Sequence, residues 1–327
     1  MKMSRTIEQP SGLLSVVIPA YNEREMLGRA VEAITGVLKA AAIPHELIFV
    51  DDGSKDGTWE EICRAVEATR RAEHPASAVR GVRFSRNFGK ESAIFAGLGE
   101  ARGNCCAVMD CDLQHPPEAL VDMYRLWQEG YQVIEGVKIS RGKESRFHSF
   151  CAKVFYQLMG RATKMDMSRA SDFKLLDRKA VDALLRLKEK NAFFRALSSW
   201  IGFETAQVEF EVQERQAGVS KWSFGGLVSY AFTNLTSFSA APMQLVTVLG
   251  VIVLVCSMLL GVQSLYKKFT GQALEGFTTV IIIILFIGSI LMICLGIIGY
   301  YIAQIYEEIK GRPRYIVADR CGDESEE

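Results

Sequence analysis

The sequence has neither a net charge nor a pairing pattern among its cysteines. Its 327 residues include 38 basic and 38 acidic side chains, so no overall field favours nucleic acid as a partner. None of the eight cysteines belongs to a C-x-x-C pair, and Cys256 and Cys294 lie in apolar segments. This usage indicates reduced, structural thiols and points to neither a zinc site nor a disulfide framework.

Two common nucleotide-binding loops are also missing. Residues 19–23 read Pro-Ala-Tyr-Asn-Glu, where a dinucleotide-binding fold has G-x-G-x-x-G after its first strand. No G-x-x-x-x-G-K-[ST] sequence occurs, which excludes a P-loop NTPase. A nucleotide site in this chain must therefore be built from other groups.

Charged residues are absent from two long segments, residues 222–266 and 276–306. As a helix, residues 245–265 measure about 31 Å, close to the roughly 30 Å hydrocarbon thickness of a bilayer. The second segment is long enough to span a bilayer with tilt. We therefore predict a transmembrane hairpin over 242–306, with helices at about 243–265 and 277–303. The alternative is a pair of buried helices in a soluble protein. It is disfavoured because residues 280–287 are apolar on every face of a helix.

The flanking residues predict the orientation of this hairpin. The polar segment 1–13 has no signal peptide, so we expect the large domain, residues 14–220, to stay in the cytosol. Two crossings return the chain to that side, which makes 307–327 a cytosolic tail. Basic residues after the second helix agree with the positive-inside rule, although Lys267 and Lys268 in the loop weaken the asymmetry. The chain is thus predicted to be an integral protein of the plasma or inner membrane.

Short apolar runs alternate with helical patterns in the first part of the chain. The runs cover 14–18, 46–50, 79–84 and 105–109, and the helical patterns cover 24–42, 58–71, 90–101 and 118–129. We expect Pro19 to end the first strand and His45 and His74 to lie in loops. The alternation predicts an α/β fold with a Rossmann-like, mostly parallel sheet and helices on both faces. Ligands of such sheets bind beyond the carboxyl ends of the strands.

A polar motif follows each of the four predicted strands. The motifs are Tyr21-Asn22-Glu23, Asp51-Asp52-Gly53-Ser54, Arg86-Asn87-Phe88-Gly89-Lys90 and Asp110-Cys111-Asp112. Any one of them also suits a turn or a helix cap, and Asp56 is assigned to that structural role. Their consecutive order instead predicts one ligand site. Glu23, Asp51 and Asp52 are candidates to accept hydrogen bonds from a base and a ribose.

The last of these motifs suits a metal ion. Asp110 and Asp112, separated by one residue after a buried strand, can hold a divalent cation that grips a diphosphate, with Gln114 as a further ligand. The same aspartates could instead cap a turn before the helix start at Pro116. His115 is either another ligand or a supporting residue at that helix start.

In their order, these motifs resemble the inverting family 2 glycosyltransferases of the A-type (GT-A) fold. The group with the same pattern contains dolichol-phosphate-mannose-synthase-like enzymes and bacterial polyprenyl-phosphate glucosyltransferases with two C-terminal transmembrane helices. The matching segments are 17–23, 50–58, 86–90, 109–116, 171–174 and 215–222. The resemblance implies a UDP- or GDP-sugar donor, Mg²⁺ or Mn²⁺, and a polyprenyl phosphate acceptor. It places Pro19, Tyr21, Asn87 and Lys90 at the nucleotide and marks Asp172 as a catalytic base.

Elementary chemistry suggests another role for Asp172. A phosphate monoester has a second pKa of about 6, so the acceptor is already largely a dianion at neutral pH and needs no strong base. A carboxylate beside the incoming phosphate would also repel it. We therefore expect Asp172 to orient a sugar hydroxyl or a basic neighbour.

Cations near the membrane are candidates for holding the acceptor phosphate. An apolar stripe surrounded by basic residues predicts an interfacial amphipathic helix at about 145–161, with an ordinary packed helix as the alternative. An uncharged aromatic segment at 221–241 is also predicted to be interfacial. The candidate phosphate ligands are Arg141, Arg146, Arg215, Ser220 and Lys221.

Together these features predict a metal-dependent, inverting enzyme that transfers one sugar, with UDP-glucose the preferred donor, to a polyprenyl phosphate. A processive polysaccharide synthase is disfavoured because no Q-x-x-R-W occurs. A non-catalytic nucleotide-sugar-binding scaffold is disfavoured by the presence of Glu23, Asp110 and Asp112. Homo-oligomerisation stays open, because neither predicted span carries a sustained small-xxx-small pattern.

Overall fold

The computed structural model describes residues 12–71, 77–139, 171–187, 189, 193–211, 241–270 and 276–322. The described residues belong to two compact units: a sheet unit containing those of 12–211 and 313–322, and a helical unit containing those of 241–312. The predicted interfacial helix at 145–161 and nearly all of the interfacial segment 221–241 lie outside the described residues, as does His74.

The elements follow in chain order. They are β1 (Leu14–Ala20), α1 (Arg24–Ala40), β2 (His45–Asp51), α2 (Thr58–Arg71), β3 (Ser77–Phe84), α3 (Lys90–Glu100), β4 (Cys105–Val108), α4 (Glu118–Gln128), β5 (Val133–Lys138), β6 (Lys174–Asp177), α5 (Arg178–Arg186), α6 (Phe194–Trp200), β7 (Thr205–Phe210), α7 (Ala241–Phe269), α8 (Phe277–Ile309) and β8 (Val317–Cys321).

Within the described residues, eight strands form one sheet in the order β7-β5-β6-β4-β1-β2-β3-β8. The pairs β1–β2, β1–β4, β2–β3 and β5–β7 are parallel, whereas β6 is antiparallel to β4 and β5, and β8 is antiparallel to β3. The predicted mostly parallel α/β sheet is thereby confirmed. The pattern of alternating strands and helices did not predict the antiparallel insertion of β6.

Helices cover both faces of the sheet because side chains alternate along each strand. Val16 of β1 belongs to the core cluster that also contains Ile34 of α1 and Leu120 of α4. Its neighbour Val17 faces α3, where a Cβ on Gly97 would lie only 2.2 Å from the Val17 side chain. The absence of a side chain at Gly97 therefore allows α3 to approach β1 closely.

Two expectations about the strand ends are wrong. Pro19 does not end β1, which continues to Ala20. β4 pairs with β1 only as far as Val17, so Pro19 has a strand on one side only and its missing N–H is tolerated. His45 is not in a loop but begins β2, where its buried ring hydrogen-bonds through Nδ1 to the Ile43 carbonyl at 2.8 Å.

The sheet receives its last strand from the segment that the sequence assigns to a tail. β8 follows α8 in the chain and pairs with β3. Arg320 forms an ion pair with Glu100 of α3 at 2.9 Å, and the Tyr315 ring stacks on Phe84 with centroids 4.9 Å apart. Part of the predicted tail is therefore an edge strand of the sheet unit.

The helical unit contains the two predicted apolar helices, α7 and α8. Among the described residues, one helical segment, Phe286–Ile309, is long and apolar enough to cross a membrane, with a mean hydropathy of 2.2. α7 contributes the shorter apolar segment Val248–Gln263. The prediction of a span in α8 is thus supported, and the predicted span in α7 stays a prediction.

Candidate active site

The turns after β1, β2, β3 and β4 line one cleft of about 390 Å³ beyond the carboxyl ends of these strands. Its walls are formed by Pro19, Ala20, Tyr21, Glu23, Asp52, Asn87, Gly89, Lys90, Ala93, Asp110, Cys111 and Asp112. The structure therefore brings most of the predicted nucleotide and metal residues to one cavity. Among the predicted residues in the described chain, Asp51, Gln114 and Asp172 do not line it.

The turn after β1 is fixed by the turn after β2. The backbone N–H of Asn22 donates to Ser54 Oγ at 2.9 Å, and the Asn22 side chain accepts from Lys55 N–H at 3.1 Å. Glu23 N–H donates to Thr58 Oγ1 at 3.0 Å. Tyr21, with 42% of its surface exposed, is thereby held on a braced loop where its ring can meet a ligand.

Asp56 has the structural role that the sequence indicates. Its carboxylate accepts from the backbone N–H and the hydroxyl of Thr58 at 3.1 and 2.5 Å, and from the Arg24 N–H at 3.3 Å. One side chain therefore caps α2 and fixes the start of α1.

Asp51 and Asp52 differ although they are adjacent. Asp52 lines the cleft and accepts from the N–H groups of Phe88 and Gly89 at 2.6 and 2.9 Å, and burial raises its pKa. Asp51 is completely buried, and its Oδ1 accepts from Ser54 N–H at 2.9 Å. Asp52 thus holds the loop after β3 in place from within the cleft. Nucleotide contact by Asp51 stays a prediction.

Gly53 allows the turn after β2 to contact the loop after β3. Its φ is +69°, and a Cβ there would lie 2.5 Å from the carbonyl carbon of Arg86. A residue with a side chain would push the 86–89 loop away from Asp52.

The Asp110-Cys111-Asp112 segment continues the period-two alternation of β4. Cys111 points into the core cluster, and burial raises the pKa of its thiol, which keeps it protonated. The flanking aspartates both line the cleft. Asp112 accepts from the backbone N–H of Gln114 at 3.1 Å, whereas the role of the Gln114 side chain stays a prediction.

The site fits a metal ion whose coordination is completed by a bound ligand. In the part of the chain that the structure describes, no group of three or more His, Cys, Asp or Glu side chains could hold a metal alone. Two carboxylates on a cleft wall provide hard oxygen ligands, and Mg²⁺ commonly binds through one or two carboxylates together with substrate phosphates. The donor set therefore fits a divalent ion shared with a diphosphate.

His115 packs as a core side chain. Its ring stacks on Phe173 with centroids 4.8 Å apart and meets Phe210 edge-on at 5.4 Å. Burial lowers its pKa, so the ring is neutral. This position agrees with the supporting role rather than with a ligand role.

Lys90 links two of the predicted catalytic carboxylates. Its Nζ lies 2.6 Å from Asp110 Oδ1 and 2.9 Å from Asp172 Oδ2. Arg195 of α6 grips Asp172 from another side through Nε and a terminal nitrogen at 2.6 and 2.8 Å. Burial alone would raise the pKa of Asp172, but Lys90 and Arg195 hold it well below its ordinary value. Asp172 is therefore a fixed anion behind the cleft wall.

Three charged residues near Asp172 were not predicted as site residues. Arg195 belongs to none of the sequence motifs, Glu91 accepts from Phe194 N–H at 2.9 Å, and Lys174 is fully buried against Glu135 and Ser198 at 2.5 and 2.8 Å. Lys174 could have been suspected, because it ends the matching segment 171–174 and is a charged residue at the start of an apolar strand. The positions of the other two depend on helix packing.

The five predicted acceptor-phosphate residues, Arg141, Arg146, Arg215, Ser220 and Lys221, all lie outside the described residues. Their role stays a prediction.

Known proteins match the chain over nearly its whole length. The protein-family model described as Glycosyl transferase family 2 matches residues 15–185. The uncharacterized glycosyltransferase YkcC of Bacillus subtilis is 38% identical over 99% of this chain and 97% of its own length. The uncharacterized glycosyltransferase sll0501 of Synechocystis is 36% identical over 94% and 96%. The SfII prophage-derived bactoprenol glucosyl transferase of Shigella flexneri is 33% identical over 93% and 97%.

Proposed function

The chain belongs to glycosyl transferase family 2, and we propose that it moves one sugar from a nucleotide donor to a polyprenyl phosphate at the cytosolic face of a membrane. The full-length similarity to a bactoprenol glucosyl transferase supports this acceptor class and glucose as the sugar. UDP-glucose is accordingly the first donor to test. The apolar segment Phe286–Ile309 supports a membrane location, with α7 as the proposed second span.

The observation that carries the proposal is the shared cleft at the carboxyl ends of the strands. Tyr21, Glu23, Asp52 and Asn87 form a polar wall suited to a base and a ribose. The Asp110-Cys111-Asp112 segment forms another wall of the same cavity. A nucleoside diphosphate that spans these walls would bring its diphosphate to the carboxylates and to Lys90.

The proposed reaction requires charge neutralisation more than proton transfer. An oxygen of the acceptor phosphate forms a bond to C1 of the sugar, with inversion, while the bond from C1 to the β-phosphate oxygen breaks and its electron pair leaves with the nucleoside diphosphate. A Mg²⁺ or Mn²⁺ ion held by Asp110 and Asp112, with Gln114 nearby, would supply positive charge to that leaving group. Lys90 contributes a further positive charge at Asp110.

The contacts of Asp172 favour positioning over general-base catalysis. Both of its oxygens are bonded to cations, and its lowered pKa makes it a weak proton acceptor at neutral pH. Asp172 instead keeps Lys90 and Arg195 in place. The acceptor phosphate, proposed to meet Arg141, Arg146, Arg215, Ser220 and Lys221, arrives as a nucleophile that is already ionised.

A transfer assay tests this function directly. The purified full-length chain in detergent is incubated with Mg²⁺ or Mn²⁺, a polyprenyl phosphate and a panel of radiolabelled UDP- and GDP-sugars. One labelled product that is extractable into organic solvent, abolished by chelator and restored by metal, is expected. A polymeric product would instead indicate a processive synthase, and donor binding without any product would indicate a scaffold. Undiminished transfer after exhaustive chelation would contradict the metal requirement.

A further inference from the structure

Two helices approach Asp172 and each brings one cation to it. α3 begins with Lys90, which bridges Asp172 and Asp110. α6 carries Arg195, which binds both oxygens of Asp172. The two cations therefore hold their positions only if the two helices keep a fixed separation.

A direct bond between the helices lies beside both cations. Glu91 follows Lys90 in the chain, and Phe194 precedes Arg195. The Glu91 carboxylate accepts the Phe194 N–H through Oε2 at 2.9 Å. Phe193, which precedes α6, has a hydrocarbon side chain that cannot satisfy this N–H, and an N–H in the first turn has no partner within its helix.

Aromatic packing continues the same contact between the helices. Phe95, one turn further along α3, meets Phe194 edge-on with centroids 6.4 Å apart. On Phe95 lies the guanidinium of Arg314, 4.6 Å from the ring centroid. Glu91 therefore adds a hydrogen bond to the apolar contact between α3 and α6, at the end of that contact nearest to Asp172.

Glu91 has no contact with the cleft that would explain its presence. It is not among the residues lining the cavity, and it lies close to the anionic Asp172 in surroundings that disfavour its ionised form. An apolar residue would pack against Phe194 without that electrostatic cost. The features that an apolar residue could not supply are the acceptor for Phe194 N–H and a carboxylate close to Arg195 and Lys90.

We propose that Glu91 is a positioning residue, which holds α6 to α3 so that Arg195 and Lys90 together fix Asp172 and keep Lys90 beside Asp110. The catalytic consequence of this proposal rests on the proposed sugar transfer, but the bond itself does not. The proposal concerns an oxygen acceptor at position 91, so Glu91→Gln should keep the bond and Glu91→Met should lose it.

The test uses the full-length chain and compares these two variants with the wild type. Hydrogen exchange of the amides at 194 and 195 is followed by mass spectrometry, together with kcat and the donor KM. We expect Glu91→Met to exchange about 10-fold faster at these amides, and Glu91→Gln to stay close to the wild type. We expect kcat of Glu91→Met to fall about 30-fold with little change in donor KM, because the nucleotide-binding wall is untouched.

A control separates positioning from general destabilisation. Glu46 is a buried carboxylate on the same sheet that accepts from Ser15, Arg80 and Arg102 and contacts nothing in the cleft. Glu46→Gln should lower the melting temperature and leave kcat per folded molecule unchanged. An equal loss of kcat in this control would overturn the proposal by showing that any destabilisation lowers kcat.

The remaining outcomes also decide the proposal. Unchanged exchange at 194 and 195 in Glu91→Met, or faster exchange with an unaltered kcat, would overturn it. A glutamine variant as impaired as the methionine variant would do the same. If no donor is turned over even by the wild type, the proposed function fails, while the exchange measurement still reports whether Glu91 holds α6.

Discussion

Two charge networks of the sheet unit lie at opposite ends of the strands of one sheet. At the amino ends, Glu46 accepts from Ser15 Oγ, Arg102 N–H and Arg80 at 2.5, 2.7 and 2.7 Å. The side chains of Arg80 and Glu46 are only 6% and 4% exposed. Each oxygen of this carboxylate has partners within the protein, so the network leaves nothing for a ligand.

At the carboxyl ends, the charges are shared and partly exposed. Lys90 serves Asp110 and Asp172 together, and the side chains of Lys90 and Asp110 are 41% and 30% exposed. The comparison shows how one sheet can use buried charge in two ways. A closed network stabilises the fold, whereas a network with one open side keeps charges fixed where a ligand can meet them.

The largest expected effect is the loss of Asp112, which lines the cleft together with Lys90 and Asp110 of the open network. Asp112→Asn removes a carboxylate proposed to bind the metal, and we expect kcat to fall about 1,000-fold. Radiolabel transfer measures it, with the exposed Asp122→Asn on α4 as the matched control. If Asp112→Asn retained wild-type kcat, the cleft would not be the catalytic site.

Breaking the closed network should affect stability instead. Arg80→Met leaves Glu46 buried without its cation, and we expect the free energy of unfolding to fall by about 3 kcal/mol. Chemical denaturation followed by intrinsic fluorescence gives this value. The kcat per folded molecule should stay within about twofold of the wild type, since surviving molecules keep the cleft. A large loss of kcat at unchanged stability would erase the distinction between the two networks.

Removing Lys90, the cation shared by Asp110 and Asp172, tests whether the open network needs its positive charge. Lys90→Met takes away the charge between Asp110 and Asp172, and we expect kcat to fall about 100-fold. Lys138→Met, which removes an exposed lysine at the end of β5, is the control. Transfer that is unaffected by Lys90→Met would mean that the two carboxylates need no common partner.

Asp172→Asn should have a smaller effect than Asp112→Asn. If Asp172 orients Lys90 and Arg195, an amide keeps part of the hydrogen bonding, and we expect a loss of about 30-fold in kcat. Parallel binding titrations with nucleotide and acceptor are needed. A variant as inactive as Asp112→Asn, with both substrates still bound, would favour a catalytic base and contradict the orienting role.

The last prediction concerns the pH dependence of stability. Burial and the nearby Asp172 raise the pKa of Glu91 from its ordinary value of 4.5 to about 7. The folded chain therefore holds a proton that the unfolded chain has released, so this residue makes stability fall as pH rises from about 5 to 7 and has no further effect above that. Glu91→Gln should lack this component. Melting temperatures of both proteins across this range test it, and parallel curves would contradict the raised pKa.

Local sequence patterns predicted the parts of the fold that depend on local chemistry. α2 has the predicted bounds, Thr58–Arg71, because an aspartate cap and an apolar period of 3.6 define it within its own segment. It was also predictable that the polar motifs after β1, β2, β3 and β4 would lie together, because the carboxyl ends of parallel strands meet at the same edge of a sheet. Asp56 was separable from Asp52 because its spacing to Thr58 is that of a cap.

The parts of the fold and site that depend on contacts between distant segments could not be predicted from local sequence patterns. β8 is a short strand with two charged residues, Asp319 and Arg320, and nothing local distinguishes it from a solvated tail. Arg195 reaches Asp172 only because α6 packs against α3, which a period of 3.6 does not reveal. His45 is polar, yet the Ile43 carbonyl and the neighbouring strands make it a strand residue.

The position of β8 in the chain has a consequence for biosynthesis. A ribosome translates both apolar helices, residues 241–309, before it reaches Val317–Cys321. Throughout that interval β3 is an edge strand with unpaired backbone groups, open to any other extended peptide. A nascent chain that stalls within its helices thus carries an unfinished sheet, because the edge of β3 is covered only after residues 317–321 have been made.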